Sequence, residues 1–600
     1  MLKSNRTTSV VLCLTLALVM LAACATPTPE IVEKVITQVV KETVVQKEMV
    51  KETVIVEGTP QVVEKEVTRI VEVEKEKVVT ATPEPAPEQV LFVPLTRLGG
   101  SIDPSLSYGQ GYEFLPNLFD GLTRVDYTSS KLVAAVAEKW DISEDATVFT
   151  FYLKDGLEWS DGTPVTAGDF EYSWLRTLDP ETQSPTASDM YCIEGAEAYN
   201  KGESSDPESV GIRVVDDLTL EVTLAGPRPA FARDVSGVVY FPLPEWAINE
   251  YGSEGDEWMK PGHITTNGPY VIGELEPDQE VVLVRNENYK GDRPAIDKAT
   301  WVLFEHYMAQ SLLAFEAGDL DMAWVSGDDL ERVQDDAKLG QLLQEYQIGA
   351  TCFCTFDTTN PPFDDPRVRL AFSLAVNREQ LNNIILKGTY DPAYTAVPPK
   401  VVGYTPDAAI TGDVEEAKRL LAEAGYPNGE GLRVIAPHGS SGGEWRLLAE
   451  ALQAMWQENL GVTIELNLME SKALSAYSKK LVEETLPYDI RIGRRITVLS
   501  SDPVNWYNNL FDPDNDWLRT RWGNEQFLDL IREGRYEQDL EKQAEIYQEA
   551  EKVLLEDMPV IPLYHTVARW VVQPYVTGLV FPAESAGQII DLRPVSIQAH

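Results

Sequence analysis

Apolar and polar positions alternate from Thr147 through Phe149 and Phe151 to Leu153, the period of a strand with one side turned inward. Ser160-Asp161-Gly162-Thr163 then predicts a turn, with Gly162 free to take a positive φ. Thr166 predicts an N-cap and Asp169 the other half of a capping box; Phe170, Trp174 and Leu178 follow at helical spacing until Asp179-Pro180 stops the helix. The same two periods recur along the chain. Residues 91–95, 214–224, 432–436 and 462–468 read as strands, and residues 114–122, 417–425, 445–461 and 532–558 as helices.

The first ninety residues follow a different pattern. Lys3 and Arg6 precede an apolar run over 10–23, shorter than the roughly 18–20 residues of a spanning helix. It ends in Leu21-Ala22-Ala23-Cys24. From 25 to about 89 valine, glutamate, lysine and threonine dominate, with valine pairs at Val39-Val40, Val44-Val45, Val62-Val63 and Val78-Val79. That spacing is nearer five than 3.5, a poor fit to a coiled-coil seam. Gly58-Thr59-Pro60 interrupts the stretch, and the proline-rich 82–87 closes it as an extended tether. The expectation is a stalk; an oligomerising coiled coil is the second possibility.

Six hundred residues are too many for one hydrophobic core, so two or three lobes are expected. A formal net charge of −46 argues against nucleic acid as a partner, since phosphate binding needs basic patches. Cys352 and Cys354 stand two apart on a strand, their Cα atoms about 6.5–7 Å apart, where a disulfide would be strained. Buried free thiols are expected there. Gly439-Ser440-Ser441-Gly442-Gly443 has the G-x-S-x-G form of a hydrolase elbow with Ser441 as nucleophile. The histidine it would need could only be His565 or His600, so a serine hydrolase is the remote alternative to a helix cap. Asp512, Asp514 and Asp516 suggest a calcium loop, but Trp517 and Gly523 stand where glycine and glutamate are required. Neither metal nor cofactor is expected, and no catalytic residue is assigned.

Residues 138–180, EKWDISEDATVFTFYLKDGLEWSDGTPVTAGDFEYSWLRTLDP, closely resemble the signature of the family 5 extracellular solute-binding proteins, the oligopeptide-binding lipoproteins of ABC importers. Further resemblance runs from about 90 to 580 in family order: FLPNLFDGL at 114–122, TNGPYVI at 266–272, EVVLVRNEN at 280–288, FEAGDLDMAW at 315–324 and the return strand PVIPLY at 559–564. The resemblance implies an α/β, type II periplasmic-binding fold with two main lobes and an extra smaller one, closing by a hinge. It places the main lobe in 90–122, 236–346 and 566–600, the smaller lobe in 123–235 and the third in 347–565. Leu-Ala-Ala-Cys resembles the bacterial lipobox, which implies a signal peptide over 1–23, cleavage before Cys24, and an extracytoplasmic protein anchored by the acylated Cys24, its globular part monomeric. The implied partners are a peptide, or another small solute, and a membrane permease.

For the site, the resemblance points to Tyr108, Gly109 and Gln110 at the cleft mouth and to Thr186 where peptide binders often place a tyrosine. The departure lies in 489–506, DIRIGRRITVLSSDPVNW. The aspartate that clamps a peptide's α-ammonium in relatives is replaced here by Val498 or Leu499, and the usual tryptophan by Arg495. A lost clamp forfeits a charge-assisted hydrogen bond, typically worth about 1.5–3 kcal/mol. This keeps a second ligand class open: an oligosaccharide, a metal chelate or an anionic small molecule. Arg494 and Arg495 are the candidates for pairing with a ligand carboxylate or phosphate.

Overall fold

The computed structural model describes residues 35–56, 59–80, 88–95, 98, 101–107, 113–129, 131–276, 278–305, 307–399, 401–439, 443–469, 473, 477, 480, 489–497, 506–507, 510–513, 518–537, 539–581 and 589–599. The chain divides into two compact units, 1–87 and 88–600.

In the first unit the described residues of the valine-rich stretch are extended. Strands β1 (Val35–Val56) and β2 (Thr59–Thr80) pair antiparallel in unbroken register, from Val35 opposite Thr80 to Val56 opposite Thr59. β-branched residues alternate with charged ones on both faces, a composition that suits a pleated ribbon better than a helix. The coiled-coil alternative is thereby overturned.

In the second unit, one four-stranded sheet runs Tyr270–Glu276, Glu280–Arg285, Lys298–Leu303, Val90–Leu95, its last pair parallel. Another, antiparallel throughout, runs Ala137–Ile142, Val148–Leu153, Thr219–Thr223, Ile212–Asp216. One apolar core spans both and buries Phe149, Phe151, Trp159, Phe170 and Trp174. The helix Ala167–Leu178 starts as its sequence predicts: Thr166 and Asp169 form a capping box, and Asp169 also accepts from Trp159 Nε1 at 3.2 Å. Burial pushes the Asp169 carboxyl up to about 6.

Three predicted elements are shorter or broken in the fold. Helix survives only over Leu115–Leu118 of 114–122, because Phe119 is already extended. Residues 214–224 are a hairpin instead of one strand, Ile212–Asp216 and Thr219–Thr223, turning where the Asp216 side chain accepts from Leu218 N. Residues 532–558 fall in two helices, Glu525–Tyr536 and Leu540–Asp557, since Glu537 is extended and Asp539 caps the second.

The remaining sheet is central. Its order is Met322–Trp324, β5 (Val560–Val572), β3 (Leu343–Phe356), β4 (Ile490–Thr497), with Asp391–Pro392 also pairing with β5. Beside it lie a parallel pair, Arg433–Gly439 and Thr463–Met469, and the helix α1 (Gly443–Leu460) between them in the chain, as parallel strands need a long crossover. Cys352 and Cys354 are buried and not joined in a disulfide.

Candidate functional site at the strand crossover

β3 and β5 connect two bodies. Ile348, Ala350, Ala568, Trp570 and Val572 pack in the core described above. Cys352, Cys354, Phe356, Ile561, Leu563 and Tyr564 pack in a second core with α1, and Phe353 and Val560 in a third with the helix Leu540–Asp557. The ladder breaks where the cores change: Gln347 pairs with Val567, then Thr351 with His565, and the register shifts again after Cys352. An interrupted ladder bends more easily than a continuous one.

His565 sits at this break. It is buried, with Nδ1 2.9 Å from Thr351 Oγ1 and Nε2 3.3 Å from Thr395 Oγ1. Burial pushes the imidazole down to about 3, so it is neutral at pH 7. Thr395 spends its proton on the Val397 carbonyl at 3.1 Å. Nε2 therefore donates to Thr395, and Nδ1 accepts from Thr351. This is the histidine a Ser441 nucleophile would call on, and both of its nitrogens are already engaged.

An aromatic group lies at the first-core end of the crossing strands. Trp324 meets Trp570 edge-on at 5.3 Å, Phe581 stacks on Trp570 at 5.0 Å, and Tyr346 meets Phe581 at 4.7 Å. On the opposite body, β4 pairs with β3 around a bulge at Gly493, which has φ 78°. A Cβ on Gly493 would stand 2.5 Å from the Trp445 ring. Gly493→Ala is expected to cost about 2 kcal/mol through the left-handed backbone and the displaced indole, read as a lower denaturation midpoint with unchanged slope.

The bulge sets where the arginines fall. Arg494 pairs with Phe353 and Arg495 with Cys352. Arg495 is exposed. Tyr390, stacked on Tyr564 at 4.2 Å, donates to Glu444 Oε1 at 3.2 Å. Burial raises the Glu444 carboxyl above its ordinary range, and the Tyr390 hydrogen bond and the Arg495 charge hold it back. Across the crossover, Lys387 forms an ion pair with Asp328, and Arg569 donates to the Thr389 carbonyl and, at 2.6 Å, to Glu345.

Thr186 is elsewhere: buried in the first body, 3.3 Å from Ser184 Oγ, before the short helix Ala187–Met190. Tyr108, Gly109, Gln110, Val498, Leu499, Ser441 and Cys24 lie outside the described residues. Sequence reading passed over Glu444 and Tyr390, which stand 54 residues apart and share no motif. His565 drew notice only as a hydrolase partner.

A cavity of about 660 Å³ lies on the first body, lined by Asp120, Arg124, Lys154, Tyr289, Asp591 and Arg593 among others, with no residue of 347–565. Arg593 reaches Asp120 at 2.5 Å and Asp591 at 3.0 Å, and Tyr289 donates to Asp120 at 2.7 Å. Those charges are matched internally.

Two bodies joined by two strands, with polar and aromatic side chains gathered at the junction, define a binding protein. The chain belongs to the bacterial extracellular solute-binding proteins, family 5, whose middle-region model matches residues 131–517. It is 30% identical over 483 residues to the oligopeptide-binding protein OppA of Bacillus subtilis, covering 77% of this chain and 85% of that one. It is 28% identical over 527 residues to the probable deoxycholate-binding periplasmic protein YgiS of Escherichia coli, covering 86% and 95%. Among solved structures it is similar to the unliganded open form of the periplasmic murein tripeptide-binding protein MppA, with a TM-score of 0.74, 26% identity, and 86% and 98% covered. The fold is the type II periplasmic-binding fold, mixed α/β, and the family and these relatives are binding proteins. Among the described residues, no helix is long and apolar enough to cross a membrane.

Proposed function

We propose that this chain is the extracytoplasmic ligand-capturing subunit of an ABC importer, taking oligopeptides between two lobes and delivering them to a membrane permease. The observation that carries the reading is the coincidence of the ladder break at Thr351 and His565 with the change of core. Two strands whose ladder shifts register on either side of Thr351 and Cys352 allow a hinge, and closure over a ligand is what a permease could read. The main lobe would take 90–122, 236–346 and 566–600, the smaller lobe 123–235 and the third 347–565. Cys24 would carry the lipid anchor after removal of 1–23.

Peptide backbones are held in such clefts by strand-like main-chain hydrogen bonds, which tolerate many side chains. Arg495, exposed beside Glu444 and Tyr390, would pair with a ligand carboxylate. Arg495→Ala is then expected to weaken peptide binding about 10–100-fold, the loss of one charge-assisted hydrogen bond. Calorimetry reads this directly, and unchanged affinity for every ligand would remove Arg495 from the site.

An anionic small solute is the second reading. It is favoured by Val498 or Leu499 in the place of the ammonium clamp, and by the deoxycholate named for one relative. Mass spectrometry of ligand retained through native purification separates the two. A heterogeneous set of peptides supports the first, and a single non-peptide compound ends it.

A further inference from the structure

The ribbon of β1 and β2 has no core of its own, and an isolated two-stranded ribbon is marginal in water. Its register sorts the side chains into two unlike faces. One face carries Glu48, Val50, Glu52 and Val54 on β1, with Val63, Lys65, Val67 and Arg69 on β2. Val50, Val54, Val63 and Val67 are all exposed. The other face carries Lys47, Met49, Lys51 and Thr53 against Val62, Glu64, Glu66 and Thr68, so that its exposed apolar residues are Met49 and Val62. There Lys47 pairs with Glu66 at 2.7 Å and Lys51 with Glu64 at 3.3 Å. Among the described residues no ion pair joins Glu48 or Glu52 to Lys65 or Arg69.

On that face β1 is acidic and β2 basic, which discriminates among the ways two copies could meet. A closed dimer has a twofold axis. Edge-to-edge pairing about such an axis sets β1 beside β1, or β2 beside β2, and aligns like charges. Valine faces stacked with the ribbons running in opposite directions set β1 over β1, with the same result. Valine faces stacked with the ribbons running in the same direction set β1 over the β2 of the other copy. Glu48 and Glu52 then lie over the strand bearing Lys65 and Arg69, twice over, and four valines from each copy leave water. The same-direction stack also keeps the Val35 and Thr80 ends of both ribbons together.

We propose that the ribbon is a dimerisation module, in which a second copy of this chain stacks on the face carrying Val50, Val54, Val63 and Val67, the two ribbons running in the same direction. The test is sedimentation velocity on the full chain in mild detergent, with far-UV circular dichroism on each variant. The wild type is expected to be a dimer. Glu48→Lys with Glu52→Lys is expected to weaken it about tenfold, from four symmetry-related exposed charge contacts. Adding Lys65→Glu and Arg69→Glu to that variant should restore it. Val50→Thr with Val63→Thr, which keeps β propensity and charge, should weaken the dimer while the ribbon persists. A monomeric wild type, open-ended oligomers, or failure of the fourfold charge swap to restore the dimer would overturn the proposal.

Discussion

Asp103→Ala is expected to lower the free energy of unfolding by about 3–5 kcal/mol, the usual cost of removing one partner of a buried ion pair. Asp103 is fully buried and accepts from Arg176 at 3.1 and 2.7 Å, from Trp258 Nε1 at 2.8 Å and from Ser105 N at 2.9 Å. Alanine leaves the Arg176 guanidinium, only 11% exposed, with Ser253 Oγ as its remaining partner, and an uncompensated charge near the core is the expensive outcome. The three donors come from residues 105, 176 and 258, so the carboxylate ties distant segments of the first body together. Urea denaturation followed by tryptophan fluorescence measures the effect. A loss under about 1 kcal/mol would mean that the guanidinium finds water and that the network adds little.

The second large effect depends on pH. Glu551, on the helix Leu540–Asp557, is fully buried and accepts from Val397 N at 2.8 Å. Burial pushes its carboxyl up to about 8, against an ordinary value of 4.5. The folded chain thus holds a proton that the unfolded chain has released between those values. Its contribution to stability is complete below about 4.5 and falls as pH rises towards 8, in total by about 5 kcal/mol at about 1.36 per unit. Glu551→Gln supplies a neutral group of the same shape. Its stability relative to wild type should therefore be near zero at pH 4.5 and climb steadily to pH 8. Parallel denaturation curves across that range would show the divergence, and a constant difference would mean that Glu551 is charged in the folded state. His565 works in the opposite direction. Its depressed pKa adds stability above about 6.5 that is lost as pH falls towards 3.

Elements whose signal is local were legible in the sequence. The capping box at Thr166 and Asp169, the strand through Phe149 and Phe151, and the helix stopped at Gly461 all rest on residues within a few positions of one another, and all are present in the fold. Where polar residues punctuate an apolar run, the pattern was read too long. Asp216 and Asp539 turn or cap the chain in place of continuing it. The valine-rich stretch misled in another way. Its pairs did not fit a heptad, but only a partner strand reveals that both faces alternate in register.

The candidate site was legible only as a stretch. Residues 489–506 stood out because they depart from relatives, and β4 does run along the edge of the central sheet. What surrounds it could not be read. Glu444 meets Tyr390 across 54 residues and Thr351 meets His565 across 214, and no spacing in the chain encodes those approaches.

By itself, then, the amino-acid sequence determined the periodic elements, the acidic composition and the likeness to a binding family, because each rests on neighbouring residues or on composition. Tertiary structure alone decided that two long strands pass from one core to another, that the ladder between them breaks at a buried neutral histidine, and that a glycine bulge under Trp445 interrupts the pairing of β4 with β3. These are pairings between distant segments, fixed by packing.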